Sequence, residues 1–143
     1  MKWPNPASPV KLEEWKGCVG EGWADILEDL WNKAVWIEAQ FPAVELHINQ
    51  IKEKFGGLRF YYGWGPSDKA VGGDWDVSAD IPVSMFTDAV WRAESKASHT
   101  CEDCGKDGTL RDERSSWWAT LCDDCLAARE GDKRAALEEA NGA

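Results

Sequence analysis

Two Cys-x-x-Cys pairs constrain this chain more tightly than any other feature of its sequence. The pairs are Cys101 with Cys104 and Cys122 with Cys125, and seventeen residues separate them. In a tetrahedral site each pair places two sulfurs on one side of a metal ion, and the other pair closes the opposite side. Four thiolates leave no coordination position for water, which is typical of structural rather than catalytic zinc. The sequence therefore predicts one structural zinc ion at these four cysteines.

Other occupants and ligands of this site stay open at the level of sequence. One Cys-x-x-Cys pair can serve as a redox dithiol, although two spaced pairs rarely do. Four cysteines can also hold an iron–sulfur cluster. His99 lies two residues before Cys101, but it would have to displace a cysteine to bind the ion. We expect His99 to be a solvated residue at the end of a helix.

The spacing of apolar residues predicts an α+β fold. It comprises an N-terminal helix, a β-hairpin, a second helix, a C-terminal four-cysteine zinc ribbon and a short terminal helix. Three- and four-residue spacing indicates the helices and alternation indicates the strands. Gly56-Gly57 indicates the hairpin turn, because glycine adopts positive φ without steric cost. The predicted helices cover 22–40, 81–98 and 126–140, and the predicted strands cover 44–51, 58–62, 109–111 and 117–121.

Three segments are expected along the chain. Three prolines interrupt regular structure near the N-terminus, where we expect no more than a turn at 11–16. A stretch rich in Gly, Asp and Ser separates the hairpin from the second helix. The segments are an irregular N-terminal arm at 1–20, an α+β core at 21–100 with a long loop at 63–80, and a zinc-ribbon module with its terminal helix at 101–143.

Tryptophan is unusually frequent, with ten residues in the chain. Most are expected in the core. Trp64 and Trp75 fall in the predicted loop at 63–80, and loops of that length are usually functional or disordered. Tryptophan is enriched in binding hot spots, so both residues are candidate binding residues.

The net charge of −10 bears on what the protein can bind. Generic binding to nucleic acid needs an excess of Lys and Arg, which replace the counterions of the phosphates. Residues 101–125 carry three basic and seven acidic side chains, so this predicted zinc module has a charge of −4. Nucleic acid is therefore not an expected partner of the zinc module. The acidic surface suits a basic protein partner, or serves solubility alone.

One stretch, residues 51–70, is positively charged. Lys52, Lys54 and Arg59 are interleaved there with aromatic residues that include Tyr61. Cations beside aromatic rings can bind a nucleobase and its phosphate. The same cations can simply balance the acidic residues of the first helix. Both interpretations of Lys52, Lys54, Arg59 and Tyr61 stay open.

Recognisable catalytic motifs are lacking. The Gly-Gly pair is not followed by the Lys-Ser/Thr of a phosphate-binding loop, and His47 and His99 are the two histidines of the chain. Acid–base catalysis would then rest on carboxylates, whose pairing the sequence does not show. Cys18 is either a thiol nucleophile or, as we expect, an unpaired buried cysteine. We expect a protein that is not an enzyme.

Five stretches of the sequence can be taken together: Gly22-Trp23, Gln50–Tyr61, Ala93-Glu94, Thr100–Gly105 and Thr120–Cys125. In this order they resemble a family of small, largely uncharacterised proteins encoded by bacteriophages and prophages. The resemblance spans about residues 22–125, and its most specific part is the hairpin sequence QIKEKFGGLRFY. It implies a phage origin and zinc binding, but no reaction or catalytic residues. The N-terminal arm, the longer loop at 63–80 and the additional tryptophans depart from the family pattern.

These observations favour a zinc-containing protein-binding module of phage type. We expect it to inhibit or modulate a bacterial host protein, for example a CRISPR–Cas complex or another defence protein. One alternative is a nucleic-acid or nucleotide-binding protein that uses the basic aromatic hairpin. The other is an uncharacterised nucleic-acid-processing enzyme.

The expected location is the cytoplasm of the bacterial host, without a membrane. No apolar run approaches the ~20 residues that a membrane-spanning helix needs. The N-terminus, Met1–Pro6, lacks the apolar segment of a secretory signal.

Overall fold

The computed structural model describes residues 12–67, 80–112 and 118–131. The described part begins with a short helix, α1 (Leu12–Lys16), where we expected only a turn. A 3₁₀ turn at Glu21–Trp23 leads directly into α2 (Ala24–Gln40), which confirms the helix predicted at 22–40. Trp15 of helix α1 is fully buried and anchors the helix to the core. Its indole meets the rings of Trp31 and Phe60 edge-on, at centroid distances of 5.3 and 5.2 Å.

The hairpin consists of β1 (Val44–Lys54) and β2 (Gly57–Pro66), which pair antiparallel and extend further than predicted. A bulge at Asn49 interrupts their register. Because side chains alternate between the two faces of a strand, this extra residue reverses the alternation. Inward positions are therefore even-numbered before the bulge and odd-numbered after it, so that Ile48 and Ile51 are both buried.

The loop predicted at 63–80 begins later than expected. Strand β2 continues to Pro66, so the prediction that Trp64 lies in a loop is wrong. Trp64 pairs with Leu46 on the inward face of the hairpin, where its ring meets Phe86 edge-on at 5.7 Å. Trp75 lies outside the described residues.

Helix α3 (Asp80–Ala97) confirms the helix predicted at 81–98. It packs with α2 over the inward face of the hairpin. Each helix also supplies a carboxylate to one edge of the sheet. The Leu46 amide donates to Glu38 of α2, and the Phe60 amide donates to Glu94 of α3. These contacts satisfy backbone groups that the two-stranded sheet leaves unpaired.

The C-terminal part forms a second sheet, with β3 (Thr109–Arg111) pairing antiparallel with β4 (Ala119–Leu121). The hairpin and this ribbon are separate two-stranded sheets. Residues 123–131 are helical and are named α4. The terminal helix therefore begins three residues earlier than predicted, and its predicted remainder lies outside the described residues. The α+β fold class, with its helices, hairpin and four-cysteine ribbon, is confirmed.

In residues 12–67, 80–112 and 118–131, no helix combines the length and apolar character that crossing a membrane requires.

Candidate metal centre and the surfaces around it

The four cysteines are positioned by the ends of regular elements. Cys101 and Cys104 lie in a tight turn that follows α3, and Gly105 closes this turn with a φ of 82°. A side chain would be strained at that angle, so glycine is needed there. Cys122 directly follows β4, and Cys125 lies in the first turn of α4. The ribbon thus brings two turns from distant points of the sequence face to face.

The sulfur atoms are close enough to share one ion. All four Sγ atoms lie within 4.8 Å of one another, and those of Cys104 and Cys122 are 3.6 Å apart. A tetrahedral ion with Zn–S bonds of about 2.3 Å places its sulfurs about 3.8 Å apart. A disulfide would require about 2.05 Å, and all four cysteines are free thiols. The cluster therefore fits a four-thiolate metal ion and does not resemble two independent redox dithiols.

Backbone amides point at the sulfur of Cys101. Burial raises the pKa of this thiol, but hydrogen bonds from the amides of Cys122, Cys104 and Asp103 outweigh it and lower the pKa to about 6. The Cys125 amide likewise donates to the Cys122 sulfur over 3.4 Å. Amide donors of this kind stabilise thiolates and fix their orientation, as outer partners do in metal sites.

The pKa values of the Cys125 and Cys104 thiols are shifted in the opposite direction. The sulfur of Cys122, burial and the remaining cysteines all raise the pKa of Cys125. At Cys104 the Lys106 amide lowers the pKa, but burial and the sulfurs of Cys101 and Cys122 raise it overall. Four thiolates so close together repel one another, and a bound cation would offset that repulsion. The donor set suits a soft tetrahedral ion such as zinc.

Two arginines tie the metal-binding turns to neighbouring elements. Arg129 of α4 donates two hydrogen bonds to the Asp103 carboxylate, at 2.8 and 2.6 Å, and lowers the pKa of that carboxyl group. Arg111 of β3 donates to the Leu121 carbonyl at 3.1 and 3.0 Å and to the Asp123 carboxylate at 2.8 Å. Bidentate contacts of arginine are geometrically specific. Arg129 thereby holds the first Cys-x-x-Cys turn against α4, and Arg111 holds the second turn against β3.

The first turn also docks against the start of α2. The Gly22 amide donates to the Glu102 carbonyl at 2.8 Å, and the buried Trp23 indole donates to the Thr100 carbonyl at 2.8 Å. A Cβ atom at Gly22 would overlap the backbone carbonyl of Cys101. Backbone therefore meets backbone here, and no side chain larger than hydrogen fits between the two regions.

The hairpin turn docks against the other side of the ribbon. The Thr120 hydroxyl donates to the Gly56 carbonyl at 2.6 Å, and the Thr120 amide donates to the buried Glu102 carboxylate at 2.7 Å. Burial raises the pKa of Glu102 to about 7, although the bond from the Thr120 amide acts in the opposite direction. The docking surface formed by Gly22, Trp23, Gly56, Glu102 and Thr120 is called the junction below.

The candidate binding residues of the hairpin divide between its two faces. Lys52, Lys54, Arg59 and Tyr61 all point outward, and Lys52 lies opposite Arg59 in the register. The Lys52 ammonium lies 5.7 Å from the centre of the Tyr61 ring. Trp64 points inward and is half-buried against the core. Trp64 therefore does not belong to the outward face, and a ligand of that face would not stack on its ring.

An exposed aromatic pair at the tip of the hairpin was missed at the level of sequence. The side chain of Phe55 is 60% exposed and that of Trp118 is 46% exposed, and their ring centroids are 5.5 Å apart. Leu110 of the ribbon, 43% exposed, lies beside them over Gly56. We call Phe55, Leu110 and Trp118 the tip patch. The signal was present, because Phe55 precedes the glycine of the predicted turn, where apolar residues are uncommon.

The remaining sequence candidates lie apart from the metal centre. His99 is exposed just after α3 and is not among the clustered residues, as expected. Cys18 is exposed rather than buried, which contradicts the expectation. Its sulfur lies 3.2 Å from the Glu14 carbonyl, and burial and the Glu14 carboxylate raise its pKa. A raised pKa disfavours the thiolate, so the environment of Cys18 is not that of an activated nucleophile.

Comparison of the chain with protein families, with curated proteins and with solved structures found no match.

Proposed function

We propose that this protein is a zinc-stabilised, non-enzymatic module that binds another protein through its tip patch. The observation that carries the proposal is the pair of exposed aromatic rings at Phe55 and Trp118. Exposed apolar groups that lie together, in contrast to single ones, are typical of interaction sites. Aromatic residues are also enriched at the centres of protein interfaces.

The backbone at Phe55 supports this interpretation. The turn of the hairpin is formed by Phe55 and Gly56, with φ angles of 54° and 80°. Turns of this geometry strongly prefer Asn or Asp before glycine, because both central residues need positive φ. A bulky residue in that region is strained, and local strain is often found at functional sites. Here an exposed apolar side chain occupies a position where a small polar residue would be more stable.

The ribbon gives the patch its rigidity. Trp118 and Leu110 belong to the metal-binding part, whereas Phe55 belongs to the hairpin. The buried hydrogen bond from Thr120 to Gly56 fixes one against the other. A patch that is already ordered loses less entropy on binding than a flexible one. Metal binding at the four cysteines would therefore contribute to affinity without any contact between the ion and the partner.

We further propose that the partner is a protein of the bacterial cytoplasm and that the module inhibits or modulates it, as a phage-encoded protein directed against a host defence complex would. The resemblance of Gln50–Tyr61 and Thr100–Gly105 to phage and prophage proteins supports a phage origin. The net charge of −10 supports a target with a basic surface, such as a nucleic-acid-handling complex. Opposite charges accelerate association and disfavour other partners.

The experiment is affinity capture from bacterial lysate with three zinc-loaded baits: the wild type, a double variant with Phe55→Ala and Trp118→Ala, and Trp91→Ala. Trp91 is the matched control, because it is a tryptophan 67% exposed on α3. We expect at least one protein that the wild type and Trp91→Ala retain and the double variant loses. Titration of that purified protein should then show direct binding.

Identical protein sets for all three baits would contradict the proposal. So would a captured protein that fails to bind the purified module. Zinc content and circular dichroism of the double variant show whether the loss of binding comes from the surface rather than from unfolding.

A further inference from the structure

The outward face of the hairpin is open along most of β2. The outward side chains of β2 are Arg59 and Tyr61, and the outward positions on either side of them are Gly57, Gly63 and Gly65. A side chain at Gly63 would meet no atom within 4 Å, and one at Gly65 would meet only the His47 ring on this face. Strand glycines often mark places where another molecule approaches closely. The face is thus a flat strip with one aromatic ring near its middle.

The aromatic ring is accessible and already polarised by a cation. Tyr61 is 44% exposed, and Lys52 lies 5.7 Å from the centre of its ring. Arg59 lies two residues before Tyr61, at the neighbouring outward position of β2, and it pairs with Lys52 of β1. A ring beside two cations offers stacking for a planar group and charge for an attached anion.

The cations of this face stand out in the part of the chain that the structure describes. Lys52, Lys54 and Arg59 form no ion pair with another residue in the described part of the chain. The nearest acidic residue in sequence, Glu53, accepts a hydrogen bond from the Gly56 amide at 2.6 Å. Glu45 contacts His47 at the other end of the strip, over 3.7 Å. The face is therefore locally positive on a protein that is acidic overall.

We propose that this outward face, formed by Lys52, Lys54, Arg59 and Tyr61, binds single-stranded nucleic acid. The charge of the three cations complements phosphates, and Tyr61 provides a surface on which a base stacks. A single strand fits and a duplex does not, because the bases of a duplex are already stacked on one another. Since the whole protein is acidic, binding is weak and falls steeply with salt. This inference does not depend on the tip patch or on its protein partner.

The test is fluorescence anisotropy with a labelled oligothymidylate of about 12 nucleotides at about 25 mM salt, using zinc-loaded full-length protein. We expect Tyr61→Ala to weaken binding roughly tenfold. Lys52→Ala should also reduce the slope of log K against log salt by about 0.7, the value for one phosphate contact on a single strand.

A second lysine–aromatic pair provides matched controls. On α2 the Lys33 ammonium lies 5.2 Å from the centre of the Trp36 ring, and Trp36 is 48% exposed. Trp36→Ala and Lys33→Ala should leave the affinity and the salt slope unchanged. Unchanged values support the proposal, because they show that an exposed lysine–aromatic pair elsewhere is not sufficient.

Four outcomes would overturn the proposal: no binding at low salt, equal affinity for a duplex of the same length, no effect of Tyr61→Ala, or equal losses in the α2 controls. If Lys52→Ala and Arg59→Ala instead abolish binding of the captured protein partner, with no binding of the oligonucleotide, the face belongs to the protein interface.

Discussion

The two parts of this molecule are stabilised by different means. Among the described residues of the part built from α1, α2, α3 and the hairpin, sixteen buried side chains form one apolar cluster. Among the described residues of the ribbon, the buried cluster consists of Cys101, Ala119 and Leu121, with Cys122, Cys125 and Leu126 partly buried against it. Burial of apolar area contributes roughly 25 cal/mol per Å², so the described cluster of the ribbon offsets much less of the entropy of ordering the chain than that of the core. We therefore expect the core to be stabilised by burial, and the ribbon by the junction and by an ion at its four cysteines.

The contrast is also visible where the two parts meet. At the junction the Trp23 indole, the Gly22 amide and the Thr120 hydroxyl donate hydrogen bonds to the backbone carbonyls of Thr100, Glu102 and Gly56. Such bonds depend strongly on direction. The core can therefore position the ribbon accurately without sharing its hydrophobic cluster. Ordering of the tip patch then depends on both parts at once.

Loss of a metal ligand is the largest perturbation we expect, and it should affect one part only. Cys122→Ser, or chelation of the wild type, should unfold the ribbon, because binding of structural zinc contributes roughly 10–16 kcal/mol in small domains. Elemental analysis should give one zinc per wild-type chain and none for the variant. Hydrogen exchange should accelerate in 101–112 and 118–131 and remain slow in 24–40.

Cys18→Ser is the control, because this exposed thiol lies outside the cluster, and it should retain zinc. Full protection of the ribbon in metal-free protein would refute the idea that the ion stabilises it. Iron in place of zinc would change the identity of the ion, but the ribbon would still be the part that a metal ion stabilises.

A substitution in the apolar core should have the converse effect, because it should destabilise the core and leave the metal centre intact. Phe86 is fully buried, and its ring contacts those of Phe60, Tyr62 and Trp64. Phe86→Ala should lower the free energy of unfolding by about 3–5 kcal/mol, through lost burial and the cavity that remains. Urea denaturation followed by circular dichroism measures this loss. Under native conditions the variant should still bind one zinc ion; loss of zinc from a folded variant would show that the two parts are not stabilised separately.

The same contrast governs what the sequence could predict. Periodicity located α2 and α3 to within two residues, because each has one apolar face against the core. Cysteine spacing located the metal centre, because tetrahedral coordination allows few arrangements. Trp64 was misplaced because Gly63 and Gly65 suggested a loop. Those glycines occupy outward positions, and inward packing of Tyr62 and Trp64 maintains the strand. Local propensity is here overridden by tertiary contacts.

The junction could not be derived from periodicity at all. Its contacts are hydrogen bonds from the Gly22 amide to the Glu102 carbonyl and from the Thr120 hydroxyl to the Gly56 carbonyl, and such bonds leave no apolar pattern in the sequence. Gly22-Trp23, Gln50–Tyr61, Thr100–Gly105 and Thr120–Cys125 each contribute a residue to the junction, but no spacing of apolar residues connects these stretches.

A substitution at the junction tests how closely the two parts must approach. At Gly22 a Cβ atom would overlap the Cys101 carbonyl, whereas at Gly63 it would meet nothing within 4 Å. Gly22→Ala should therefore lower the free energy of unfolding by about 1–3 kcal/mol, the range for overpacked sites. Gly63→Ala should change it by less than about 0.5 kcal/mol. Urea titrations of both variants measure the difference, and equal effects would contradict the close approach.

The smallest expected effect concerns the strained turn and has the opposite sign. Phe55→Asn places a residue that tolerates positive φ at an angle of 54°, which relieves roughly 1–2 kcal/mol of backbone strain. It also removes the ring contact with Trp118, worth about 0.5–1.5 kcal/mol. The variant should gain about 0.5 kcal/mol in unfolding free energy by the difference of these two terms, while affinity for the protein partner falls.

Phe55→Ala separates the two terms, because it loses the ring but keeps the strained backbone. It should be less stable than Phe55→Asn by the strain that asparagine relieves, roughly 1 kcal/mol. Thermal unfolding with zinc in excess resolves such differences. A loss of stability in Phe55→Asn comparable to that in Phe55→Ala would mean that the phenylalanine stabilises the contact between hairpin and ribbon. A gain in stability with a loss of binding would mean that the turn retains a less stable residue because the partner requires its ring.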